Sequence, residues 1–269
     1  MNSPRRAPCY SDNVAAPGGD YLFVVQNLVL KDFKIRYRNM SLGVFWSLLN
    51  PFVMMGVLVF VFTTVFPDQT VKGFPLFILC GLVPFNFFST AWSSGMVCVT
   101  DNSGFVKRIP LPRVLLPLTN VLANCMHLLI QISLLLAFAL LLGYPINRFW
   151  LFLPLVWVLE LCFIFGLVMA SSAIDVYVRD LRYIVDSIIR VMFWAVPVFY
   201  SIERVPLRFR NFYEFNPVSA LTIALRRILM EATAPSSAIL WKLGVSSAAM
   251  LCVGFLIFQR LQGRFYERL

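Results

Sequence analysis

Charged residues are scarce in this chain. Of its 269 residues only 13% are Asp, Glu, Lys or Arg, while 59% are hydrophobic. Soluble globular domains average roughly 25% charged and about 45–50% apolar residues. A soluble core could not bury so much apolar surface, whereas lipid can surround it. The composition therefore excludes an ordinary soluble domain and indicates an integral membrane protein.

Residues that bind metals or form disulfides are also few. The chain has 1 histidine and 6 cysteines, and no two cysteines form a C-x-x-C motif. Most of the cysteines lie in or beside apolar runs, where a free thiol behaves as a small hydrophobic side chain. We therefore expect neither a metal site nor a disulfide framework.

Motifs for nucleotide chemistry are missing as well. The chain contains no G-x-x-x-x-G-K-[ST] sequence, so we do not expect it to hydrolyse ATP. Nor does it show the clustered carboxylates or the His/Cys site of a membrane enzyme, so we expect no catalytic residue. Residues 1–19 are polar, with several Pro and Gly and no apolar stretch, which predicts a flexible cytoplasmic N-terminus rather than a cleaved signal peptide.

The charges that are present are mostly basic. The formal net charge is +10, from 23 Lys and Arg against 13 Asp and Glu. Nucleic-acid binding would need a soluble basic face. Here the cations instead follow the ends of apolar runs, where the anionic cytoplasmic leaflet attracts them. The basic excess thus indicates contact with a membrane surface.

Six apolar runs approach the roughly 20 residues that cross a bilayer as a helix. They are residues 44–66, 74–99, 114–142, 150–174, 183–200 and 238–258. The first four carry no Asp, Glu, Lys, Arg or His except His127 and Glu160, whereas the last two include Asp186, Arg190 and Lys242. Intramembrane ionisable groups are candidates for function. For His127 and Glu160, structural, substrate-contacting and proton-coupling roles all stay open.

Residues 20–38 predict an amphipathic helix at the membrane interface. Asn27, Lys31, Lys34 and Arg38 recur at helical spacing and share one face. A basic amphipathic helix of this kind lies among lipid headgroups. It serves either as a simple anchor or as a lever on which a cytoplasmic partner pushes.

Residues 201–235 are too polar and broken to span the bilayer. Their apolar piece, 217–225, is short and is bounded by proline, which predicts a re-entrant helix pair between the fifth and sixth spans. The Lys and Arg distribution favours a cytoplasmic location for both termini, including the tail 259–269. The long outer segment is then either a gate or a headgroup-bound loop, and the candidate gate residues are Arg208, Arg210, Arg226 and Arg227. The predicted fold is therefore all-α: an interface helix and a transmembrane domain over 44–258.

Aromatic residues make up 15% of the chain, including 26 Phe. Most are expected to pack or to face lipid, as in the aromatic belts of membrane proteins. Apolar ring faces also stack on sugars without a fixed hydrogen-bonding register, so crowded aromatics on one helix are candidates for a polymer pathway. They are Trp46, Phe85, Phe87, Phe88, Trp92, Phe193, Trp194, Phe199 and Tyr200.

Four ordered segments resemble the ABC-2 type permeases that export O-antigen, capsular polysaccharide and teichoic acid. Residues 31–38, KDFKIRYR, lead into 41–51, SLGVFWSLLNP, as the family's basic helix leads into its first span. Residues 81–88, GLVPFNFF, are similar to the family's GLLPWxFF, and 107–113, KRIPLPR, to its KKxxFPR. Arg179-Asp180, Pro197-Val198 and Asn216-Pro217 match its order RD, SPV, NP, with Val196 in place of the usual Ser.

The resemblance implies a homodimer joined to two ATPase subunits, which would bind ATP and Mg²⁺ themselves. The cargo would be an O-antigen-like polysaccharide on undecaprenyl pyrophosphate, crossing the bacterial inner membrane during lipopolysaccharide biosynthesis. The ATPase would dock on charged cytoplasmic segments, unless their cations only enforce topology. The coupling candidates are Lys31, Lys34, Arg36, Arg38, Asp101, Lys107, Arg108, Arg113, Arg179 and Asp180.

Other classes of function stay open from the sequence. An ABC-2 permease could carry another lipid, a drug or teichoic acid. A secondary carrier often shows inverted repeats with broken helices at matching positions, and the halves of this chain do not match in that way. A polytopic enzyme would need the clustered polar site that is missing here.

Overall fold

A computed structural model describes residues 21–37, 45–65, 72–104 and 112–268. Within these ranges the regular structure is helical, without a strand, which confirms the all-α prediction. The α-helices are α1 (Tyr21–Tyr37), α2 (Phe45–Phe60), α3 (Phe74–Met96), α4 (Cys98–Asp101), α5 (Leu115–Leu141), α6 (Leu153–Asp175), α7 (Leu181–Ala195), α8 (Leu207–Phe215), α9 (Pro217–Leu229), α10 (Ser237–Gln262) and α11 (Phe265–Arg268).

Four helical segments are long and apolar enough to cross a membrane. They are Phe74–Met96, Leu115–Leu141, Arg148–Asp175 and Ser237–Gln262, where the third includes a 3-10 turn before α6. The first predicted span corresponds to α2 together with the π-helical turn Val61–Val65. Their shared apolar part, Leu49–Val65, is shorter than the four segments above. The count of six spans stays a prediction, because α2 and α7 do not meet the same standard of length and apolarity.

The fifth predicted span, 183–200, is not one helix. Helix α7 ends at Ala195, and Val196 is extended, with φ −77° and ψ 138°. Pro197 explains this end, because the residue before a proline avoids helical angles and proline has no N–H to donate. Since α7 has 15 residues, its axis is only about 22 Å long. The chain therefore leaves the helix earlier than the hydrophobic pattern predicts.

Helix α1 occupies most of the predicted interface segment 20–38. Asn27, Lys31 and Lys34 are exposed, whereas Leu28 is buried and the helix packs against α5. Its location at the lipid headgroups stays a prediction, and Asp20 and Arg38 lie outside the described residues.

Helix α3 is the centre of the bundle. Most of its side chains are buried, and it packs against α2, α5, α6 and α9. The outer helices instead present apolar side chains outward, such as Leu129 on α5, which is 65% exposed. An apolar exterior of this kind suits lipid, because water would penalise it.

Helices α6 and α10 have the most extensive contact of any helix pair. They cross where Gly166 meets the backbone of Met250 and Leu251, and where Gly254 meets the backbone of Gly166. Small residues let membrane helices approach closely and gain dispersion contacts along their length. The two glycines therefore set the distance between these helices.

The helices α8 and α9 form a pair between α7 and α10. Asn216 separates them and caps α9, since its Oδ1 accepts from Val218 N at 3.1 Å. Pro217 occupies the first turn of α9, where its missing N–H is not needed. Nearly all of α9 is buried against α3, α6 and α10. The pair expected within 201–235 is present, and its entry into a bilayer stays a prediction.

Candidate functional site

We name the two ends of the bundle after buried charged residues. At the Asp175 end, α4 and the end of α6 meet the start of α7. At the Arg226 end, α9 meets the start of α3 and the segment after α7. The helices alternate between these ends along the chain.

A buried carboxylate joins three helices at the Asp175 end. Arg182 donates from Nε to Asp175 Oδ1 and from Nη2 to Oδ2, each at 3.1 Å. Thr100 Oγ1 donates to the same Oδ2 at 2.8 Å and accepts from Arg182 Nη2 at 2.9 Å. A guanidinium that contacts both carboxylate oxygens forms the strongest kind of charged hydrogen-bonding pair. The hydrogen bond to Asp175 also raises the pKa of Arg182, which therefore stays cationic.

The triad of Thr100, Asp175 and Arg182 was not predicted from the sequence. The available signal was a carboxylate in the last turn of an otherwise apolar helix. Such a group is expensive to bury without a cation. Arg182 follows by 7 residues, after a tight turn that returns the chain to the same place.

The triad predicts unequal effects of its two charged residues. The Asp175 side chain is 0% exposed and that of Arg182 is 40% exposed. Arg182→Gln leaves a carboxylate buried without its cation, so we expect a loss of about 2–4 kcal/mol in the free energy of unfolding. In Asp175→Asn the guanidinium can turn to water, and we expect a loss below about 1.5 kcal/mol. Unfolding in sodium dodecyl sulfate would measure both, and an equal or larger loss for Asp175→Asn would contradict the asymmetry.

A charged cleft of 540 Å³ lies beside the triad and is lined by its Thr100 and Arg182. It brings together three coupling candidates, Asp101, Arg179 and Asp180, all of which are exposed. Arg268 of α11 also lines the cleft, which the sequence did not predict. Because both signs of charge line its wall, this surface is suited to bind a polar protein partner through ion pairs.

The other coupling candidates are more scattered. Lys31 and Lys34 are exposed on α1. Arg113 is used internally, since its Nη1 donates to the Gln262 carbonyl and its guanidinium lies 5.8 Å from the Phe265 ring centre. The Arg36 side chain and the residues Arg38, Lys107 and Arg108 lie outside what the structure describes.

A polar groove lies between α3 and α7, and we call it the α3–α7 groove. Two adjoining cavities of 430 and 370 Å³ form it. Its lining on α3 includes Ser89, Thr90 and Ser93, and that on α7 includes Asp186 and Arg190. Met96, Val97 and Ile189 also line it, so hydroxyl and charged side chains are interspersed here with apolar surface.

At the opposite end, a buried arginine binds backbone carbonyls. Arg226 donates from Nε and Nη2 to Phe77 O at 3.3 and 3.2 Å, from Nη2 to Val198 O at 2.7 Å and from Nη1 to Tyr200 O at 3.3 Å. Its guanidinium carbon lies 3.4 Å from the Phe77 ring centre. The cation is therefore held by dipoles and a ring face. These contacts join α9 to α3 and to the segment after α7.

The predicted gate arginines separate into two pairs. Arg226 and Arg227 line a cavity of 480 Å³ together with Lys72, Glu203 and Glu231 among others. Arg210 instead donates to Val205 O and Glu203 O, and Arg208 lies 4.6 Å from the Phe209 ring centre. A gate role for the four stays a prediction, because the structure gives Arg226 and Arg210 internal partners.

The candidate pathway aromatics also divide. Phe85, Phe87, Phe88 and Trp92 of α3 are buried in the core, where Phe88 packs against Trp92 and Phe163. Phe193, Phe199 and Tyr200 are half-buried and contact one another in sequence, while Trp46 and Trp194 are exposed by 48% and 65%. Which of these rings meet a substrate stays a prediction, and in this conformation the open ring faces belong to Trp46 and Trp194.

The intramembrane ionisable residues occupy different environments. Glu160 is fully buried, and neither carboxyl oxygen hydrogen bonds to a described residue. His127 Nε2 lies 3.2 Å from Gln131 Nε2 on the same helix. Among the residues that the structure describes, no group of three His, Cys, Asp or Glu could hold a metal ion.

Comparisons with known proteins agree with this architecture. Residues 24–230 match the family described as ABC-2 type transporter. The chain is 28% identical over 249 residues to the O-antigen export system permease protein RfbA of Klebsiella pneumoniae, covering 92% of this chain and 94% of that protein. It is 30% identical over 250 residues to RfbA of Myxococcus xanthus, covering 92% and 95%. It is 20% identical over 245 residues to the polysialic acid transport protein KpsM of Escherichia coli, covering 87% and 92%.

The family match covers most of the chain, including every helix from α2 to α9. The relatives match along nearly their whole lengths, so the similarity is not limited to apolar runs, which often resemble one another by chance. It also includes the segments of the Asp175 triad and of Arg226. The chain belongs to the ABC-2 type transporter family, as a membrane permease with several apolar helices.

Proposed function

We propose that this chain is the transmembrane subunit of an ATP-driven exporter of lipid-linked, O-antigen-like polysaccharide. The observation that carries the proposal is the similarity to O-antigen export permeases over 92% of the chain. One small helical bundle has too few helices to enclose a channel for a polymer, which supports two copies of this chain per transporter. Undecaprenyl pyrophosphate is the lipid carrier that we propose for the bacterial inner membrane.

Energy would come from two separate ATPase subunits, which bind ATP and Mg²⁺. They would dock at the Asp175 end, where the exposed Asp101, Arg179 and Asp180 line one cleft. The nearby triad connects α4, α6 and α7 through short hydrogen bonds. A push on this cleft would therefore move several helices together. In this orientation both termini are cytoplasmic, and the Arg226 end faces outward.

The helix pair α8–α9 would then be re-entrant from the outer face. Lys242 of α10 pairs with Glu214 of α8, which ties this pair to the last span. The cavity beside Arg227 and Lys72 lies at the same end and would receive the emerging cargo. Gating there would move α9 relative to α3, which are joined by Arg226.

The proposal is tested by co-purification. The tagged chain is co-expressed with the ATPase subunit of a neighbouring gene, and the complex is assayed in nanodiscs with and without undecaprenyl-linked glycan. We expect a stable complex whose ATPase rate rises several-fold with the glycan-lipid, because cargo binding should favour the closed ATPase dimer. Undecaprenyl phosphate without sugar is the matched control.

Each other outcome has a definite meaning. If the complex forms but its ATPase rate does not change with the glycan, the assignment as an ABC permease stands and the proposed cargo is wrong. The cargo would then be teichoic acid, another lipid or a drug. If no ATPase subunit binds, the exporter is overturned. Transport driven by an ion gradient without ATP would then identify a secondary carrier.

A further inference from the structure

The α3–α7 groove continues into the charged cleft at the Asp175 end. The cleft shares Arg182 and Asp186 with the first groove cavity, which shares Thr90, Ser93 and Asp186 with the second. Along α7 this surface carries charged side chains from Arg182 to Arg190, which is about 12 Å of helix. In the orientation proposed above, it would extend from the cytoplasmic side into the roughly 30 Å hydrocarbon layer.

The α3 wall of the groove presents hydroxyl oxygens. Ser89 Oγ and Thr90 Oγ1 donate to Asn86 O at 3.1 and 2.7 Å. Because these protons are directed at the helix's own carbonyls, the lone pairs of these two oxygens stay available as acceptors, whereas Ser94 Oγ already accepts from Asn124 Nδ2 at 3.0 Å. Ser93 has no hydrogen bond to another described residue, so its hydroxyl can also donate. The wall is thus a row of hydrogen-bonding groups one turn apart.

The α7 wall carries two charges for which the described part of the chain provides no partner. Asp186 and Arg190 are exposed and lie four residues apart, yet neither forms an ion pair or a hydrogen bond with any other residue that the structure describes. Acyl chains cannot solvate these charges, which are expensive in hydrocarbon. An apolar helix from a second copy would remove them from water, and one i,i+4 contact between the two would not offset that desolvation. The groove therefore requires water or a polar ligand.

A sugar chain satisfies these requirements better than lipid or a second copy. Each sugar hydroxyl both donates and accepts, so it can donate to Ser93 Oγ or Asp186 and accept from Arg190. The groove is shallow and open along one side, which allows a polymer to advance without leaving a deep pocket. Charged and hydroxyl groups of this kind recognise hydroxyls in general and require no particular linkage.

We infer that the α3–α7 groove is the loading site for the sugar portion of the cargo, through which glycan passes from the Asp175 end into the bundle. This inference rests on the proposed function and adds the residues that meet the sugar. The contacting groups are Ser93 and Asp186 at the centre and Arg190 at the far end of the groove.

Photocrosslinking tests the location of the sugar. A photoreactive amino acid is placed at Ser93 in the full transporter, in membranes that synthesise the glycan-lipid. Ser133 on α5 is the matched control, since it is an exposed serine that donates to its own helix at Ile130 O. We expect an adduct that reacts with antibody to the glycan at position 93 and only lipid adducts at 133. Capture of a second copy or of lipid alone at 93 would overturn the inference.

Substitution of Asp186 tests whether the contact matters for transport. Asp186→Leu should lower the export rate about tenfold, because a charged hydrogen-bond acceptor is lost. Asp186→Asn keeps one acceptor oxygen, so it should lower the export rate by roughly half as much on a logarithmic scale. Ser133→Leu should export at the wild-type rate. If Asp186→Leu is assembled and exports normally, the groove does not carry the sugar.

The two proposals fail in distinguishable ways. If the wild-type complex neither exports glycan nor shows glycan-stimulated ATPase activity, the proposed function fails. If the wild-type complex exports glycan while position 93 captures none and Asp186→Leu is normal, the loading groove alone is overturned.

Discussion

Arg226→Leu is expected to lower the free energy of unfolding of the detergent-solubilised protein by about 3–5 kcal/mol, because three carbonyls lose a donor at a cost of roughly 1–3 kcal/mol each. Arg226 is 6% exposed and donates to carbonyls of Phe77, Val198 and Tyr200. Without it these carbonyls lose their charged donor inside the bundle. This one substitution therefore removes the contacts that join α9 to α3 and to the segment after α7.

Arg226→Lys separates charge from geometry. A lysine keeps the positive charge but presents a single ammonium group, which cannot reach three carbonyls arranged around a planar guanidinium. We therefore expect it to restore less than half of the loss. Recovery to wild-type stability would indicate that charge alone matters and would contradict the geometric role.

The neighbouring arginine provides the control. Arg227 is on the same helix and is half-buried, and its side chain has no hydrogen bond to a described residue. Arg227→Leu should change the free energy of unfolding by less than about 1 kcal/mol. Titration with sodium dodecyl sulfate, followed by tryptophan fluorescence, would measure all three variants. Equal losses for positions 226 and 227 would exclude a specific role for Arg226.

Gly166→Ala is expected to disrupt the packing of α6 against α10. A Cβ at position 166 would lie 2.5 Å from Met250 O and 2.6 Å from Leu251 Cα, and both are backbone atoms. A side chain cannot turn aside to relieve the clash, so α6 and α10 must separate. Overpacking of cores costs about 1–3 kcal/mol or more, and here the whole interface of two helices is affected. We expect a loss of at least about 3 kcal/mol, or no folded protein.

Another glycine, Gly244 on α10, shows whether any replacement of glycine by alanine in these two helices lowers stability. No atom lies within 4 Å of a Cβ placed at Gly244, so Gly244→Ala should be neutral or slightly stabilising, since alanine favours helix by about 1 kcal/mol. Size-exclusion chromatography of fluorescent fusions would report the folded yield of each variant. A folded yield of Gly166→Ala equal to that of Gly244→Ala would refute the tight crossing.

The same crossing explains why these helices associate in lipid. Between apolar helices in a bilayer there is little hydrophobic driving force, so association depends on close packing and polar contacts. The glycines permit the close packing of α6 with α10, while the Asp175 triad and Arg226 provide polar contacts at opposite ends. Each of these contacts stabilises a different set of elements.

The sequence alone determined the membrane class, the helical fold and the positions of most helices. Long apolar runs such as 114–142 predict Leu115–Leu141 closely, because every backbone polar group in lipid must be satisfied within its own helix. The helix α1 and the break at Asn216-Pro217 were also predictable, because the spacing of polar residues and the effect of proline are local. The family resemblance followed from motifs in the correct order.

Only the tertiary structure decided how individual side chains are used. Phe87 and Arg226 belong to runs that look like pathway and gate in the sequence, yet one fills the core and the other binds carbonyls distant in the chain. Asp175 gained its role from Arg182 and Thr100, which approach it through a turn and a separate helix. Hydropathy predicts whether a segment enters lipid. It does not predict which face of a helix meets protein, because the lipid-facing and the protein-facing sides of such a helix are both apolar. Close packing and paired charges decide which face meets protein.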